Sequence, residues 1–463
     1  MNRRMTDQTL PDRPAAVVIL AAGKGTRMRS ADPKVLHPVG NAPMLHHVLT
    51  TAEALRPEHI TVVVGHGGEA VAASVYGARP ETRIAEQTEM LGTGHAVLAA
   101  RPNLDEFDGD LFVLFGDTPL LTGQTLDLMR AGRRDGDIVA LGFKAAEPGS
   151  YGRFVMGQDQ ALEAIVEAKD ASAAELQIDI CNSGLMAGDC QTMLSLLDRV
   201  GNRNAQGEYY LTDIIGLARQ DGLTCRAVLC DETETMGIND RIQLAAANAI
   251  FQDRARRAAM LGGATLVAPE TVFFSLDTEL GQDVIVHPNV VFGPGVRIGD
   301  RCEVKAFCHL EDTVLEQDVK IGPFARSRGG THLSSGVRIG NFVEMKKATL
   351  GQGTKAGHLT YLGDATLGAG INIGAGTITC NYDGVDKHQT VIRDGAFIGV
   401  NTALIAPITV GEGAYVGTGT VLTKDVPEDA LALARVEQKN REGMAKRLRD
   451  QMVARKKRKA GKR

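Results

Sequence analysis

The chain has no tryptophan, and aromatic residues make up 4% of its 463 residues. Long apolar runs are missing too, because no stretch approaches the roughly 18 apolar residues that a membrane-spanning helix needs. The first 13 residues, MNRRMTDQTLPDR, contain no apolar segment of the kind found in secretory signals. These absences predict a soluble protein without a membrane partner, and we expect it in the cytoplasm.

Cysteine is present but not in a redox or metal pattern. The seven cysteines lie at positions 181, 190, 225, 230, 302, 308 and 380, and none forms a Cys-x-x-Cys pair. An odd number without paired spacing predicts reduced, mostly buried thiols. With 43% hydrophobic and 23% charged residues, a chain of this length should form two or three domains with ordinary cores.

The net charge of −5 hides an asymmetry. Residues 436–463 hold 12 Lys/Arg against 3 Asp/Glu, a net charge of +9, so the rest of the chain carries −14. Such a basic tail can bind RNA, DNA or acidic lipid. The alternative, which we favour, is a solvated end that touches little. No base-stacking aromatics are interleaved with its charges, so a nucleic-acid partner is not expected.

Residues 14–240 alternate β-rich runs with helix-compatible stretches. AAVVILA, ITVVVGH, DLFVLFGD and DIVALGF predict strands, and PMLHHVLTTAEALRP predicts a helix between two of them. This alternation predicts a mostly parallel sheet with helices on both faces. The stretch RIQLAAANAIFQDRARRAAML, within residues 241–262, contains no Gly or Pro and predicts a linking helix.

After that helix an aliphatic residue followed by Gly recurs with a six-residue period. Gly281, Gly293 and Gly299 are 12 and 6 residues apart, and the same spacing returns near residue 411. Hexapeptide repeats of this kind predict a parallel β-helix over residues 263–435. Breaks in the spacing, such as the 11 residues from Gly340 to Gly351, predict loops that leave the coils. CNYDGVDKHQ, at residues 380–389, interrupts the repeats and predicts a long loop.

The segment LAAGKGTRM directly follows the first predicted strand. Backbone N–H groups of its Gly-x-Gly turn can point at phosphate oxygens, and Arg27 and the nearby Lys34 can neutralise their charge. The turn is neither a Walker A motif nor G-x-G-x-x-G. Because ligands bind at the carboxyl ends of strands in open α/β sheets, a phosphate site is predicted at that edge.

Longer motifs resemble a known family. LAAGKGTRM, PKVLH, EQTEMLGTGHA, FGDTPLL, NAQGEYYLTD and GIND occur in the order typical of sugar-nucleotide pyrophosphorylases. In the second half, FVEMKKATLGQGTKAGHLTYLGDA and NIGAGTITCNYDG resemble acetyltransferases that act on sugar phosphates. Both halves together resemble the bacterial bifunctional N-acetylglucosamine-1-phosphate uridyltransferase and glucosamine-1-phosphate acetyltransferase, over about residues 14–440.

The resemblance implies a fold and a function. The fold is an α/β Rossmann-like nucleotidyltransferase domain followed by a left-handed parallel β-helix, with a leader at 1–13 and a basic tail at 436–463. The function is acetyl transfer from acetyl-CoA to glucosamine-1-phosphate, then uridylyl transfer from UTP with release of pyrophosphate. The product, UDP-N-acetylglucosamine, supplies peptidoglycan and lipopolysaccharide precursors. A homotrimer with acetyl sites between subunits is also implied.

For the first half, the resemblance implies Mg²⁺ held by Asp117 and Asn239. Arg27 would stabilise the leaving pyrophosphate, and Lys34 the reacting phosphates. The residues implied to bind UTP or UDP-N-acetylglucosamine are Leu20, Ala21, Ala22, Gly23, Lys34, Gln87, Gly92, Thr93, Gly152, Glu167, Asn182 and Asn239, of which Gly152, Glu167 and Asn182 would hold the amino sugar.

For the second half, the reacting amine must lose a proton near pH 7, which suits a histidine base. His358, in the matched motif between Lys346 and Tyr361, is the candidate, and Glu344 is a candidate to orient it. With no Cys–His pair apparent, direct transfer is expected. The residues implied at the sugar phosphate are Arg328, Lys346, Tyr361, Asn372 and Lys387.

The resemblance implies that acetyl-CoA contacts Ala375, Tyr382, Val400, Thr418 and Arg435, and that Asn381 contacts either acetyl-CoA or a sugar hydroxyl. Members of the family more usually have Ser at the position of Val400. A contact through the main chain would survive that change, whereas one through a hydroxyl would not.

Two other functions are compatible with parts of the sequence. A nucleotidyltransferase could use the β-helix only for trimer formation or regulation, although a scaffold needs neither the motif around His358 nor the NYDG loop. A non-enzymatic binder could use the basic tail to hold nucleic acid, but this leaves both sets of motifs unexplained.

Overall fold

The computed structural model describes residues 13–23, 25–65, 67–157 and 161–460. Residues 1–12 of the predicted leader and 461–463 of the predicted tail lie outside them. The chain divides into two compact units. The first contains residues up to Leu261 with 269–278 and 292–294, and the second contains 262–268, 279–291 and everything from Gly295. In the described residues, no helix has the length and apolar character needed to cross a bilayer.

The first unit is built on one sheet. Its strands are β1 Ala15–Leu20, β4 His59–Gly65, β5 Arg83–Gln87, β6 Asp110–Phe115, β7 Ile138–Lys144, β8 Arg153–Met156, β9 Leu162–Val166, β10 Ile180–Asp189 and β11 Cys225–Cys230, with a small separate pair, β2 Pro38–Val39 and β3 Ala42–Pro43. The order is β11-β7-β10-β6-β1-β4-β5. β1 pairs in parallel with β4 and β6, whereas β10 runs antiparallel to β6 and β7. The mostly parallel sheet is therefore confirmed.

Helices cover both faces of this sheet. They are α1 Met44–Ala52, α2 Glu69–Ala78, α3 Thr93–Ala99, α4 Gly123–Gly132, α5 Cys190–Leu197 and α6 Asp213–Gln220. Because successive residues of a strand point to opposite faces, Ala16 and Val18 enter one apolar core and Val17 and Ile19 the other. One core includes residues of α3, α5 and α6, and the other includes residues of α1, α2 and α4.

The predicted linking helix is α7, Arg241–Leu261, and it packs within the first unit. The buried amide of Gln252 donates to the carbonyl of Phe274 and accepts from its N–H, both at 2.8 Å. Asn248 accepts from the backbone N–H of Gly40 at 2.9 Å. At the start of the described chain, Arg13 pairs with the carboxylates of Asp110 and Asp189.

The second unit is a coil of short parallel strands, as the repeats predict. The strands are β12 Thr265–Leu266, β13 Glu279–Leu280, β14 Ile285–Val286, β15 Val291–Phe292, β16 Val296–Ile298, β17 Glu303–Val304, β18 His309–Leu310, β19 Thr313–Leu315, β20 Lys320–Ile321, β21 Arg326–Arg328, β22 Thr331–Leu333, β23 Arg338–Leu350, β24 Lys355–Leu367, β25 Asn372–Ile373, β26 Ile378–Cys380, β27 Thr390–Ile392, β28 Phe397–Ile398, β29 Ala403–Ile405, β30 Ile408–Val410, β31 Tyr415–Val416, β32 Val421–Leu422 and β33 Leu431–Ala432. The strands form three stacked rows. Most strands pair with the strand that comes three later in chain order, as β16 does with β19. This is the predicted β-helix, followed by α8, Met444–Ala460.

The irregular spacing has a different cause from the one predicted. Register partners lie 17 residues apart at Val296 and Thr313 but 18 apart at Thr313 and Thr331. The prediction of a loop between Gly340 and Gly351 is wrong, because β23 runs through that segment. Its corners are turned by Phe342 (φ +58°) and Lys347 (φ +47°), and pairing with β24 continues on both sides of each corner. The predicted loop at 380–389 is confirmed, since it separates β26 from β27.

Gly340 marks a place where adjacent coils approach closely. A Cβ at this position would lie 1.7 Å from the carbonyl oxygen of Gly357 on the next coil. We expect Gly340→Ala to lower the free energy of unfolding of the β-helix by about 1–3 kcal/mol, because the coils would have to separate. Gly357→Ala is the matched control, since a Cβ there meets no atom within 4 Å. Denaturant titrations followed by circular dichroism would show the difference, and equal stability of the two variants would contradict it.

Candidate active sites

A cavity of about 280 Å³ opens at the carboxyl end of β1. It is lined by nine of the residues predicted for the nucleotide and metal: Leu20, Ala21, Ala22, Gly23, Lys34, Gln87, Gly92, Thr93 and Asp117. Met90, Phe115 and Glu208, which the motifs did not single out, line it as well. The cavity thus lies where the first strand leads into the Gly-x-Gly turn. This is the predicted position, because ligands bind at the carboxyl ends of strands in open α/β sheets.

Local backbone geometry explains the glycines around this cavity. Gly25 has φ +58°, and a Cβ on it would lie 2.5 Å from the Cβ of Lys34. A side chain at Gly25 would therefore push the turn away from Lys34. Gly92 has φ +111°, a conformation that side chains rarely adopt, and it precedes α3. Thr93 fixes the same segment, because its hydroxyl accepts from the N–H of Leu211 at 3.0 Å.

Charged and amide groups converge at one end of the cavity. The ammonium of Lys34 pairs with the carboxylate of Asp117 and lies 3.4 Å from the amide oxygen of Asn239. Arg27 donates to the same amide oxygen at 2.9 Å. The N–H of Ile238 donates to the carbonyl of Asp117 at 3.0 Å, which holds Asn239 beside that residue. Four of the predicted residues, far apart in sequence, thus meet in one group.

The three residues predicted for the amino sugar form a second group. The N–H of Asn182 donates to the carbonyl of Gly152 at 2.8 Å. A Cβ on Gly152 would lie 3.5 Å from a carboxylate oxygen of Glu167. Burial raises the pKa of Glu167, although its contact with the Thr212 hydroxyl at 3.3 Å opposes the shift. The group lies close to the cavity, because Gly184, two residues after Asn182, packs against the ring of Phe115.

On the β-helix, the predicted sugar-phosphate residues are mostly brought together. Arg328 and Lys346 are register partners on adjacent coils. The side chain and charge of Lys387, with the charge of Arg328, hold the pKa of Lys346 below its usual range. The phenol of Tyr361 lies over Gly363, whose register partner is Lys346. A bound phosphate would offset the repulsion between these closely spaced cations.

Asn372 is the exception in that set. It belongs to the row of strands that contains Lys355 and Phe397, whereas Tyr361 is paired with Glu344 and Ile378 in another row. On a single chain, Asn372 is therefore on a different face of the coil from the other sugar-phosphate residues.

The predicted base, His358, is exposed at a corner of the coil. Its Nδ1 lies 2.7 Å from the amide oxygen of Asn341, its register partner. An amide oxygen only accepts, so Nδ1 carries the proton and Nε2 keeps a free lone pair. The prediction that Glu344 orients His358 is wrong, because Glu344 pairs with Arg328 at 2.7 Å. The sequence analysis missed Asn341, because a strict six-residue period gives 18 residues per coil, whereas the coil from Asn341 to His358 has 17.

The residues predicted for acetyl-CoA stack beyond His358. Ala375, Val400 and Thr418 each come two residues after Ile373, Ile398 and Val416, which are register partners on successive coils. Arg435 donates to the carbonyl of Thr418 at 2.7 Å. Asn381 donates to the carboxylate of Asp364 at 2.5 Å, at the start of the loop that carries Tyr382 and Lys387. Asp364 is a second residue that the motifs did not reveal.

Two of the three cysteines on the β-helix are not built for covalent acetyl transfer. All seven are free, as predicted. Burial raises the pKa of Cys302 and Cys308 on the β-helix to about 11, so both thiols are protonated at neutral pH. Cys380, the third, is only partly buried, and its thiol lies 4.0 Å from the carbonyl oxygen of Ile378.

Comparison with known proteins identifies a domain family in each half of the chain. Residues 17–177 match the MobA-like NTP transferase domain, and residues 277–311 match the bacterial transferase hexapeptide (six repeats). The chain is 58% identical over 441 residues to the bifunctional protein GlmU of Xanthobacter autotrophicus, covering 95% of this chain and 98% of that protein. It is 54% identical to that of Azorhizobium caulinodans and 53% to that of Paramagnetospirillum magneticum, with the same coverage. The family inferred from the motifs is confirmed: the chain belongs to the family of the bifunctional protein GlmU.

Proposed function

We propose that this chain makes UDP-N-acetylglucosamine by two transfers at two separate sites. The β-helix acetylates glucosamine-1-phosphate with acetyl-CoA, and the first unit then joins the product to UMP from UTP. The observation that carries this proposal is the presence of two separate polar constellations, around Lys34 and around His358, on two compact units of one chain.

In uridylyl transfer, a phosphate oxygen of N-acetylglucosamine-1-phosphate attacks the α-phosphorus of UTP, and pyrophosphate leaves. Lys34 neutralises the reacting phosphates, and Arg27, held by Asn239, neutralises the leaving group. Gly152, Glu167 and Asn182 hold the sugar. Backbone groups from Leu20 to Gly23 and from Gly92 to Thr93, with Gln87, hold the uridine nucleotide.

Mg²⁺ fits the same constellation. The carboxylate of Asp117 and the amide oxygen of Asn239 face the same ammonium group, and both are the hard oxygen donors that Mg²⁺ prefers. In the described residues no cluster of three or more His, Cys, Asp or Glu is arranged for a metal, so substrate phosphates and water would complete the shell. When bound, Mg²⁺ would neutralise phosphate charge.

In acetyl transfer, the amine of glucosamine-1-phosphate attacks the thioester carbonyl and CoA leaves as its thiol. Nε2 of His358 accepts the amine proton, because Asn341 keeps the other ring nitrogen protonated. Arg328, Lys346 and Lys387 hold the sugar phosphate. The acetyl-CoA residues lie on successive coils beyond His358, where Val400 can contribute its main chain.

We further propose that the acetyl site is completed by a second copy within a homotrimer. The supporting observation is the position of Asn372, in a different row of strands from Arg328, Lys346 and Tyr361. When two copies pack with their coils side by side, Asn372 of one copy can reach the cationic group of the other. Such a site between identical subunits is repeated by the symmetry of the trimer.

Subunit complementation tests this arrangement. The His358→Ala and Asn372→Ala proteins are each expected to lose acetyl transfer. Co-assembled trimers that contain both variants should recover about a third of the wild-type sites, because one site in each mixed trimer joins an intact His358 to an intact Asn372. Acetyl transfer would be assayed on mixed trimers purified with two affinity tags. As a control, both variants keep uridylyl transfer. Mixed trimers without recovered activity, or a monomer active in acetyl transfer, would contradict a site shared between copies.

A further inference from the structure

The described chain ends in α8, Met444–Ala460, and every residue of this helix is exposed. It carries eight Lys or Arg side chains against one acid, Asp450. Its last turns are basic on all sides, because Arg455, Lys456 and Lys457 are followed by two more cations. Neither of the two sites described above includes a residue of α8.

An apolar stripe runs along the first half of the same helix. Met444, Leu448 and Met452 are spaced by four residues and therefore lie on one side. Their exposed fractions are 36%, 42% and 66%. Lys456, four residues after Met452, continues the same line with a positive charge. Ala454 lies on another side, in a groove formed with Lys446, Arg447 and Asp450. The helix thus combines a strong positive charge with a short, exposed apolar stripe.

We propose that α8 docks on a bilayer surface rich in anionic lipid. The cations would contact headgroup phosphates while the stripe enters the boundary with the acyl chains. A nucleic acid would also satisfy the charge, but it would leave Met444, Leu448 and Met452 in water, and α8 has no aromatic side chain to stack on bases. This inference revises both expectations for the tail, a solvated end and the absence of a membrane partner.

The absence of tryptophan provides a direct test on the full-length protein. Leu448→Trp places a single fluorophore in the stripe, and Ala454→Trp places one outside it. With vesicles of equal parts phosphatidylglycerol and phosphatidylcholine, the emission of the L448W protein should shift to the blue and that of A454W should not. Raising the salt from about 0.05 to about 0.5 M should weaken binding at least tenfold, because it screens the charges. Vesicles of phosphatidylcholine alone should give no shift.

Two further variants separate lipid from other polyanions. A triple variant with glutamate at three cationic positions should abolish vesicle binding: Lys456→Glu, Lys457→Glu and Lys459→Glu. Arginine at the same three positions should preserve binding. Leu448→Ser with Met452→Ser should weaken vesicle binding at least fivefold. All variants should keep wild-type uridylyl transfer, which shows that they are folded. No blue shift on anionic vesicles, equal shifts at both positions, or full binding by the serine variant would overturn the proposal. Duplex RNA binding that is unaffected by the serine changes, together with no vesicle binding, would replace lipid by nucleic acid.

Discussion

Replacement of His358 by alanine is expected to lower kcat/KM for acetyl transfer by about 10²–10⁴-fold at neutral pH, because the amine of the substrate loses its proton acceptor. Uridylyl transfer by the same protein should be unchanged, since its residues lie on the other unit. Both rates can be measured on one preparation, by release of CoA thiol and by release of pyrophosphate. Acetyl transfer that survives the change would remove His358 from the role of base.

Asn341 provides a second variant for the same account. Asn341→Ala removes the acceptor that holds Nδ1–H of His358, so acetyl transfer should fall by about tenfold with little change in KM. Asn341→Asp keeps an acceptor and adds a negative charge that favours the protonated ring. The acidic limb of its pH–rate profile should therefore move to higher pH. A merely structural role for Asn341 would lower the rate without moving that limb.

Asp117→Asn is expected to lower uridylyl transfer by about 10²–10³-fold, because it removes the only charged oxygen donor of the proposed Mg²⁺ site and the partner of Lys34. Chelation of Mg²⁺ with EDTA should abolish the remaining rate, and acetyl transfer should survive both treatments. Isothermal titration with Mg²⁺ and UTP would show whether the loss lies in metal binding.

Asp240→Asn is the matched control for this change. Asp240 is next to Asn239, but its carboxylate accepts from the backbone N–H groups of Ile242 and Gln243 at the start of α7, and asparagine can make the same contacts. Its uridylyl transfer should stay near wild type. Equal losses in the two variants would mean that negative charge in the region, not a ligand at Asp117, controls the reaction.

Much of the fold could be predicted because its signals are local. Alternate side chains of the strand Ala15–Leu20 enter the two cores on opposite faces of the sheet. Because every residue of this run is apolar, its composition already predicts a strand buried on both faces. The helix Arg241–Leu261 was delimited by its lack of Gly and Pro. The aliphatic–Gly repeat indicated the coil, since a close approach such as that of Gly340 to Gly357 excludes a side chain.

What the sequence could not provide is register. Asn341 meets His358, and Asp364 meets Asn381, because each coil in that region has 17 residues. A coil of 18 would have paired His358 with Gly340. The wrong assignment of Glu344 has the same origin: its nearest cation, Arg328, lies on the preceding coil and is invisible to spacing along one motif. Likewise, only the family resemblance assigned Lys34, Asp117 and Asn239 to one site. Their side chains meet because three separate segments of the chain converge, and no local pattern in the sequence shows this.

Mass spectrometry of the products tests the central claim most directly. The purified protein would receive glucosamine-1-phosphate, acetyl-CoA, UTP and Mg²⁺, with one component omitted at a time. UDP-N-acetylglucosamine should form only in the complete mixture, and N-acetylglucosamine-1-phosphate should accumulate when UTP is left out. If the nucleotide sugar forms only when N-acetylglucosamine-1-phosphate is supplied ready-made, the β-helix is inactive in acetyl transfer and the account of two working sites on one chain is contradicted.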